Sequence, residues 1–363
     1  MKRRVTLADV AKQAGVHTTT VSLALRNHPR LPEATRERLR ALAAQMGYAP
    51  DPAMQALVAY RKNIGAHSSG LRLAYLTNWT TQWGWKKALG HDQFHLGATA
   101  RARELGYELE HFWLGEPGLS HERMSNILHA RGITGVIVAS HTEENDVALR
   151  LDWEKFCAVK IDFFPLATEL HNVTNDQRAI IQLAMQRVVA AGYRRIGLVI
   201  PSWWDSGVRL AWSAGYLAMQ QMLPVADRVP MLNFPEKADL DRTTGEFAVR
   251  PASRAALGHW LARHRPEVLI SYLPFMKDAL EELRVTVPRD LAFVDVFLES
   301  ESDGRVAGIR QNCHRVGELA VEILVGQLQQ HSFGLPALPT ITMVEGTWRD
   351  GDSLPQRIAA HSA

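Results

Sequence analysis

Three short amphipathic stretches open the chain. Leu7, Val10, Ala11 and Ala14 fall on one helical face, and Thr6 followed by Asp9 is the pattern of a capping box. Gly15 ends that helix. Val16, Val21, Ala24 and Leu25 make the next apolar face, and a polar turn follows at 26–30. Pro32 and the run Ala34, Leu39, Leu42, Ala43 and Met46 predict a third helix, closed at Gly47. Beyond Pro50-Asp51-Pro52, residues 53–58 carry a short apolar helical pattern, and 67–70 reads as a linker. From Leu71 the rhythm changes to short apolar runs alternating with helical periods. Strands are predicted at 71–77, 107–113, 132–139, 158–162, 195–201, 229–234, 267–272 and 291–296. Helices are predicted at 92–105, 122–130, 178–191, 207–222, 253–263, 277–283 and 314–329. This βαβ alternation implies doubly wound parallel sheets, and two half-chains that each open on an apolar strand imply two subdomains facing a cleft.

The length of 363 residues exceeds what one ordinary core organises. No run of eighteen apolar residues occurs, and the basic start leads into no apolar signal core, so a cytoplasmic protein with no membrane partner is expected. Cys157 and Cys313 are the two cysteines and form no CxxC pair, which fits a reducing compartment. Charge changes the picture more. Residues 1–64 hold eleven Lys/Arg against four Asp/Glu, leaving 41 − 11 = 30 basic and 38 − 4 = 34 acidic residues for the rest. A basic head on an acidic body points to a polyanion partner for the head, or else to a solvated basic face.

The stretch from Thr6 to Ser22 sharpens that choice. A helix ends at glycine, and a second begins with His17-Thr18-Thr19-Thr20, small hydroxylated side chains that can approach base edges and phosphates. Thr6-Leu7-Ala8-Asp9-Val10-Ala11, Ala14-Gly15-Val16, Thr20-Val21-Ser22, Thr35-Arg36-Glu37-Arg38 and Gly47-Tyr48 with Pro50 closely resemble the LacI/GalR family of bacterial repressors. The resemblance is strong over 5–57 and architectural over much of the rest. It implies an α/β chain with an N-terminal three-helix helix-turn-helix DNA-binding head (1–48), a hinge helix and linker (49–67), and a two-subdomain, doubly wound, periplasmic-binding-protein-like effector body (68–363). The first subdomain is expected at about 68–166 and 308–337, the second at about 167–307 and 338–363.

Residue roles follow from the resemblance. Thr18, Thr19 and Leu23 occupy recognition-helix positions facing the major groove, and Thr20 and Ser22 those of phosphate contacts. Asn27 takes a turn position near the backbone, and Thr6 and His17 join the DNA-binding set. Capping is the competing role for Thr18 to Thr20. His17 stands where serine is usual, and Leu23, which can touch a thymine methyl but cannot hydrogen-bond guanine, stands where a polar or basic residue is common. In the hinge, Leu57 holds the place of a leucine that enters the minor groove, with Met54-Gln55 replacing a commoner Ala-Arg pair; an ordinary linker helix is the alternative.

In the body, ligands of open α/β sheets lie beyond the carboxyl ends of strands. That rule selects Trp79, Trp83, Asp162, Asp176, Trp203, Asp205 and Arg209, where rings beside charged groups suit a carbohydrate; core or dimer-interface packing is the competing role for each tryptophan. The family's usual arginine is Trp212 here, three residues before Gly215, and its late aspartate is replaced in Val294-Asp295-Val296-Phe297. Both departures put a simple monosaccharide in doubt. The run Ala307 to Gln311 matches a crossover between subdomains, and Gly346-Thr347 a closing strand. His91 and His95 stand four apart with no third metal ligand in view, and GxGxxG, P-loop, HExxH and GxSxG motifs are absent.

The expectation is therefore a transcription regulator of the repressor kind, not an enzyme and without a cofactor. Its partners are palindromic double-stranded operator DNA, a carbohydrate-like effector and a second copy of itself. After Arg349 fourteen polar or small residues remain, too few for a heptad tail, so a dimer rather than a tetramer is expected. A transport-type sugar-binding protein leaves the basic head unexplained, and an α/β enzyme with a DNA-targeting head lacks a catalytic constellation.

Overall fold

The computed structural model describes residues 5–25, 31–48, 71–88, 90–142, 147–239, 249–298 and 304–357. Asn27, Gln55, Leu57 and the expected hinge helix lie outside these residues. The chain divides into two units, Met1–Ser69 and Gly70–Ala363.

In the first unit, α1 (Leu7–Ala14), α2 (Thr18–Leu25) and α3 (Glu33–Gln45) surround one small core. Val10, Ala11, Val21, Ala24, Leu39 and Ala43 are buried there, the positions the periodicity selects. Thr6 caps α1 through a reciprocal box with Asp9, and Gly15, at φ 66°, turns the chain out of the helix in the left-handed region. Arg40 of α3 donates to the Ala24 carbonyl near the end of α2 (3.2 Å), tying the second and third helices together.

The second unit holds two six-stranded sheets. The first is ordered β11-β5-β4-β3-β1-β2, from β1 (Leu71–Asn78), β2 (Tyr107–Trp113), β3 (Gly135–His141), β4 (Cys157–Ile161), β5 (His171–Asn175) and β11 (Ile341–Val344). The second is ordered β12-β10-β9-β8-β6-β7, from β6 (Ile196–Ile200), β7 (Leu232–Asn233), β8 (Val268–Ser271), β9 (Ala292–Asp295), β10 (Ala307–Arg310) and β12 (Thr347–Arg349). The paired strands run parallel except β12, which is antiparallel to β10. Strands such as β3 and β6 are buried along their whole length, as parallel strands covered on both faces must be.

Helices cover both faces of each sheet. On the first, α4 (His91–Glu104) lies with α11 (Cys313–Gln330) on one side, and α5 (His121–Ala130) covers the other. A Cβ at Gly97 would overlap the His314 carbonyl oxygen, and one at Gly317 would overlap that of Phe94, so two glycines let α4 and α11 meet backbone to backbone. On the second sheet, α6 (Gln177–Ala190) packs with α8 (Ala211–Gln220), and α9 (Pro251–His264) with α10 (Leu273–Glu282).

The structure differs from the sequence expectation at several elements. Residues 171–175, assigned above to the second subdomain, form β5 of the first sheet. Residues 341–344 likewise form β11 of the first sheet, and 307–310 stay in the second as β10. The chain therefore passes between the halves at Asp176, at 311–312 and at 345–346. The polar sequence of β5 hides it: Asn172, Thr174 and Asn175 are buried, where an apolar run would have announced a strand. The helix expected over 207–222 starts later, as α8, behind a separate short helix α7 (Ser202–Gly207), because Arg209 and Leu210 both adopt the left-handed region (φ 57° and 60°). The strand expected over 229–234 shortens to Leu232–Asn233.

Candidate nucleic-acid-reading head and ligand cleft

In the head, Val21 and Ala24 turn α2 towards the core. A helix advances 100° per residue, so Thr19 and Leu23 lie opposite Val21, flanked by Thr20 and Ser22, while Thr18 sits nearer the core edge. Thr19 is exposed, and Thr20, Ser22 and Leu23 are half-buried. The ring of His17 takes the role of the missing serine: Thr19 donates to its Nδ1 from the backbone N–H (3.3 Å) and shares a short contact through its hydroxyl. Thr6 is engaged with Asp9, its hydroxyl 2.7 Å from Oδ2. The head thus presents one short helix with a threonine-leucine face, started by a histidine cap.

In the body, the three crossovers are tied into one hinge. Asn175 donates its side-chain amide to the Gln311 carbonyl, and Gln177 donates to the Gln311 side chain (2.8 Å). The Asp176 N–H donates to the Val344 carbonyl (2.9 Å). Asn312 donates to the Glu345 carbonyl (2.8 Å) and to Thr347 Oγ1 (2.9 Å). Gln311 also donates to the Val296 carbonyl (2.9 Å). Buried amides recur here because each offers a donor and an acceptor to strands that leave their own ladders.

A cavity of about 790 Å³ opens beside this hinge. Gly90 and Gln93 of the first half wall it, as do Phe297 and Leu298 of the second and the 310–315 crossover. Phe297 packs against the cores of both halves. A Cβ at Gly90 would stand 2.9 Å from Cys313 Sγ and 3.0 Å from Phe297 Cζ, so this glycine (φ 78°) lets the start of α4 close on the aromatic ring.

Of the residues expected at the ligand, Phe297 lines this cavity and the others do not. Asp162 ends β4 at φ 64° and accepts from Thr174 Oγ1 (2.7 Å); burial pushes its carboxyl up to about 6. Next to it, the guanidinium of Arg209 lies 5.0 Å from the Phe163 ring, so Arg209 bridges the two halves. Asp176 caps α6 by accepting from the Ala179 N–H (2.9 Å). Asp205 is buried, and its Oδ1 accepts from the Trp212 and Ser213 N–H groups (3.0 and 3.1 Å), holding the first turn of α8. Trp212 lies in the core of the second half, 5.1 Å from Trp204. Trp203 meets the other face of the same cluster at 6.4 Å. The Trp79 ring stands edge-on to His91 (5.2 Å), and the exposed Trp83 covers His111 (4.4 Å) under Lys86 (4.9 Å).

His91 Nδ1 is 3.0 Å from Ser140 Oγ, and burial lowers its imidazole to about 4, so it is neutral at physiological pH. His95 packs on Tyr75 (4.9 Å) instead of joining His91. Among the described residues no group of three His, Cys, Asp or Glu side chains is placed to hold a metal, and no helix is long and apolar enough to cross a membrane. The residues that sequence reasoning missed are Gly90, Gln311 and Asn312. The usable signal was the run at 307–311, read as a crossover without its hinge amides.

The profile described as "Bacterial regulatory proteins, lacI family" matches residues 6–51. The ribose operon repressor of Escherichia coli (strain K12) is 22% identical over 336 residues, which cover 90% of this chain and 93% of that repressor.

This chain is similar to the LacI family, most specifically over residues 6–51.

Two solved structures share the fold of this chain. The lac repressor dimer bound to operator and the anti-inducer ONPF superposes with a TM-score of 0.52 at 18% identity, covering 97% of this chain and all of that one (100%). The CelR–cellobiose complex gives 0.52 at 18% identity, covering 96% and 100%.

Proposed function

We propose that this chain is a LacI-family transcription regulator of the repressor kind. It grips a palindromic operator as a homodimer in the cytoplasm, and a small molecule held between the halves of its body, a carbohydrate first among candidates, sets its operator affinity. The observation that carries the reading is the cavity beside the hinge, walled by both halves, in a body whose relatives include a cellobiose complex. The head reads DNA with Thr18, Thr19 and Leu23 in the major groove, Thr20, Ser22 and Asn27 at phosphates, and Leu57 with Gln55 in the minor groove. The head spans 1–48, the hinge 49–67 and the body 68–363, the halves of the body exchanging at the three crossovers. A ligand that prefers one arrangement of the halves shifts operator affinity by its differential affinity for the two.

The test is an operator titration of the full chain, with and without a panel of mono- and disaccharides and across salt concentrations. A steep negative salt slope and one saturable ligand effect are expected. A flat slope removes DNA from the account, and no effect from any small molecule removes the effector.

A further inference from the structure

Helix α8 buries one face and leaves the opposite face apolar and exposed. Trp212 and Tyr216 turn into the core of the second half. At 100° per residue, Ala214, Leu217 and Ala218 point the other way, and all three are exposed. Apolar exposure continues past both helix ends. Leu210 is 56% exposed, Leu217 52%, Met222 80% and Val225 76%. The solvated face of a surface helix ordinarily carries charge, yet residues 210–226 hold no charged side chain. Apolar side chains exposed singly need no explanation, whereas a group gathered on one element marks an interaction surface.

The charges that border this face are basic at both ends. Arg209 precedes Leu210. At the far end Arg228 donates to the Gln221 side chain (3.1 Å) and to the Gln221 and Leu223 carbonyls (3.2 and 3.1 Å), beside Met222, with Asp227 next to it in the chain. Midway, a Cβ on Gly215 would stand 2.8 Å from the Arg178 carbonyl oxygen, which sets the exposed Arg178 of α6 alongside α8. Helix α6 carries Arg178 and Arg187 and no acidic residue. Within residues 177–226 the acidic side chain is Asp205, which is buried and accepts from the Trp212 and Ser213 N–H groups.

This arrangement selects the partner. Two copies pairing α8 on α8 would set arginine against arginine in either direction. Antiparallel helices bring Arg209 to Arg228, and parallel helices bring each to its own counterpart. Like charges juxtaposed across an interface cost free energy, and opposite charges lower it. Residues 358–363 follow Arg357, whose N–H donates to the Ala191 carbonyl (2.9 Å) just beyond α6; they lie outside the described residues and contain no acidic side chain.

We propose that the exposed face of α8 is a docking surface for a second protein, one that presents an apolar helix flanked by carboxylates. Its apolar side chains cover Leu217, Met222 and Val225, and its carboxylates meet Arg178, Arg209 and Arg228.

Fluorescence anisotropy with the full-length protein would compare three dye-labelled synthetic helical peptides. One carries a leucine face flanked by glutamates, one the same face flanked by lysines, and one keeps the glutamates with serines in place of the leucines. The first is expected to bind about tenfold or more tighter than the other two, weakening as salt rises. A double variant, Leu217→Asp with Met222→Asp, should lose about tenfold in that affinity with its circular dichroism unchanged. Leu338→Asp, at a position 83% exposed ahead of β11, should lose nothing. Arg178→Glu should narrow the preference for glutamate over lysine. Equal binding by the lysine peptide, no binding by any of the three, or full affinity in the folded double variant would overturn the proposal. So would three results that assign the face to another occupant. Concentration-dependent growth in mass that the double variant abolishes assigns a second copy. Co-sedimentation with phosphatidylglycerol vesicles that it abolishes assigns a membrane surface. Peptide affinity that rises when residues 358–363 are removed assigns the chain's own last residues.

Discussion

In the first half of the body the strand ends carry polar groups: Ser140 in the last residues of β3, Asp162 after β4, and His91 reaching Ser140 from the helix that follows β1. In the second half the corresponding ends carry rings. Trp204 sits within 5.1 to 6.4 Å of Trp203, Trp212, Tyr272, Phe275 and Phe297. Both halves have six-stranded sheets with helices on both faces, so the difference lies in the side chains. The second half does own carboxylates near its strand ends, but Asp205 holds the start of α8, and Asp295 accepts from the Leu273 and Phe297 N–H groups (2.9 and 2.7 Å). A carboxylate that satisfies two backbone donors is held by the fold, and rings are left to face the other half.

The largest effect is expected where the halves differ in helix packing. Gly317→Val forces a side chain onto the Phe94 carbonyl and should destabilise the first half by about 3 kcal/mol or more. Gly215→Val in the second half, where a Cβ stands 2.8 Å from the Arg178 carbonyl oxygen, should cost less, about 1–2 kcal/mol. Chemical denaturation of the two variants checks the order, and an inverted order would break the comparison.

Acid should strike the first half harder. His141 is buried in it, donates from Nδ1 to the Ala139 carbonyl, and is lowered to about 4 by burial, with Lys160, His121 and His91 as its charged neighbours. Its folded pKa lies below the unfolded value, so its stabilising contribution is complete above about pH 6.5 and is lost as pH falls towards 4, about 2–3 kcal/mol at the bottom of that window. Asp162 acts in the opposite sense. Its folded pKa is raised to about 6, so protonation between pH 6 and 4 favours the folded state and offsets part of the loss. His141→Asn should flatten the fall in stability across this window, and Asp162→Asn should steepen it. Unchanged slopes in both variants would contradict the charge assignments.

Smaller effects concern single contacts. Asp205→Ala leaves the first turn of α8 without its acceptor and should cost about 1–2 kcal/mol of stability. A variant of wild-type stability that lost its ligand response would instead make Asp205 a ligand group. Arg209→Ala removes the contact over Phe163 between the halves and should shift their equilibrium by about 0.5–1 kcal/mol, read as a change of a few-fold in effector affinity.

These differences also show what the sequence could and could not reveal. The head was legible because each of its signals is local: Thr6 and Asp9 are three apart, and Gly15 is the residue that turns. The strand over 107–113 and the fully apolar β6 were legible for the same reason. β5 was not, because its buried Thr174 and Asn175 bond to groups outside the strand, Asp162 and the Gln311 carbonyl. The break at Arg209 and Leu210 gave no sign, since neither is a glycine. Phe297 was legible as a departure from a family pattern. Gly90 and Asn312 were not, because only the crossover brings the 90–93 segment beside 310–315. The backbone contacts of Asp205 were not legible, because a carboxylate beside tryptophans looks the same in sequence whether it holds a helix start or a ligand.

The central claim is that the cleft and the operator site are linked, and linkage is reciprocal. The most direct measurement is the affinity of the full chain for its effector with and without saturating operator, set beside operator affinity with and without effector. The account predicts the same factor in both directions, between about fivefold and 150-fold. Equal effector affinity in the presence and absence of operator would contradict it.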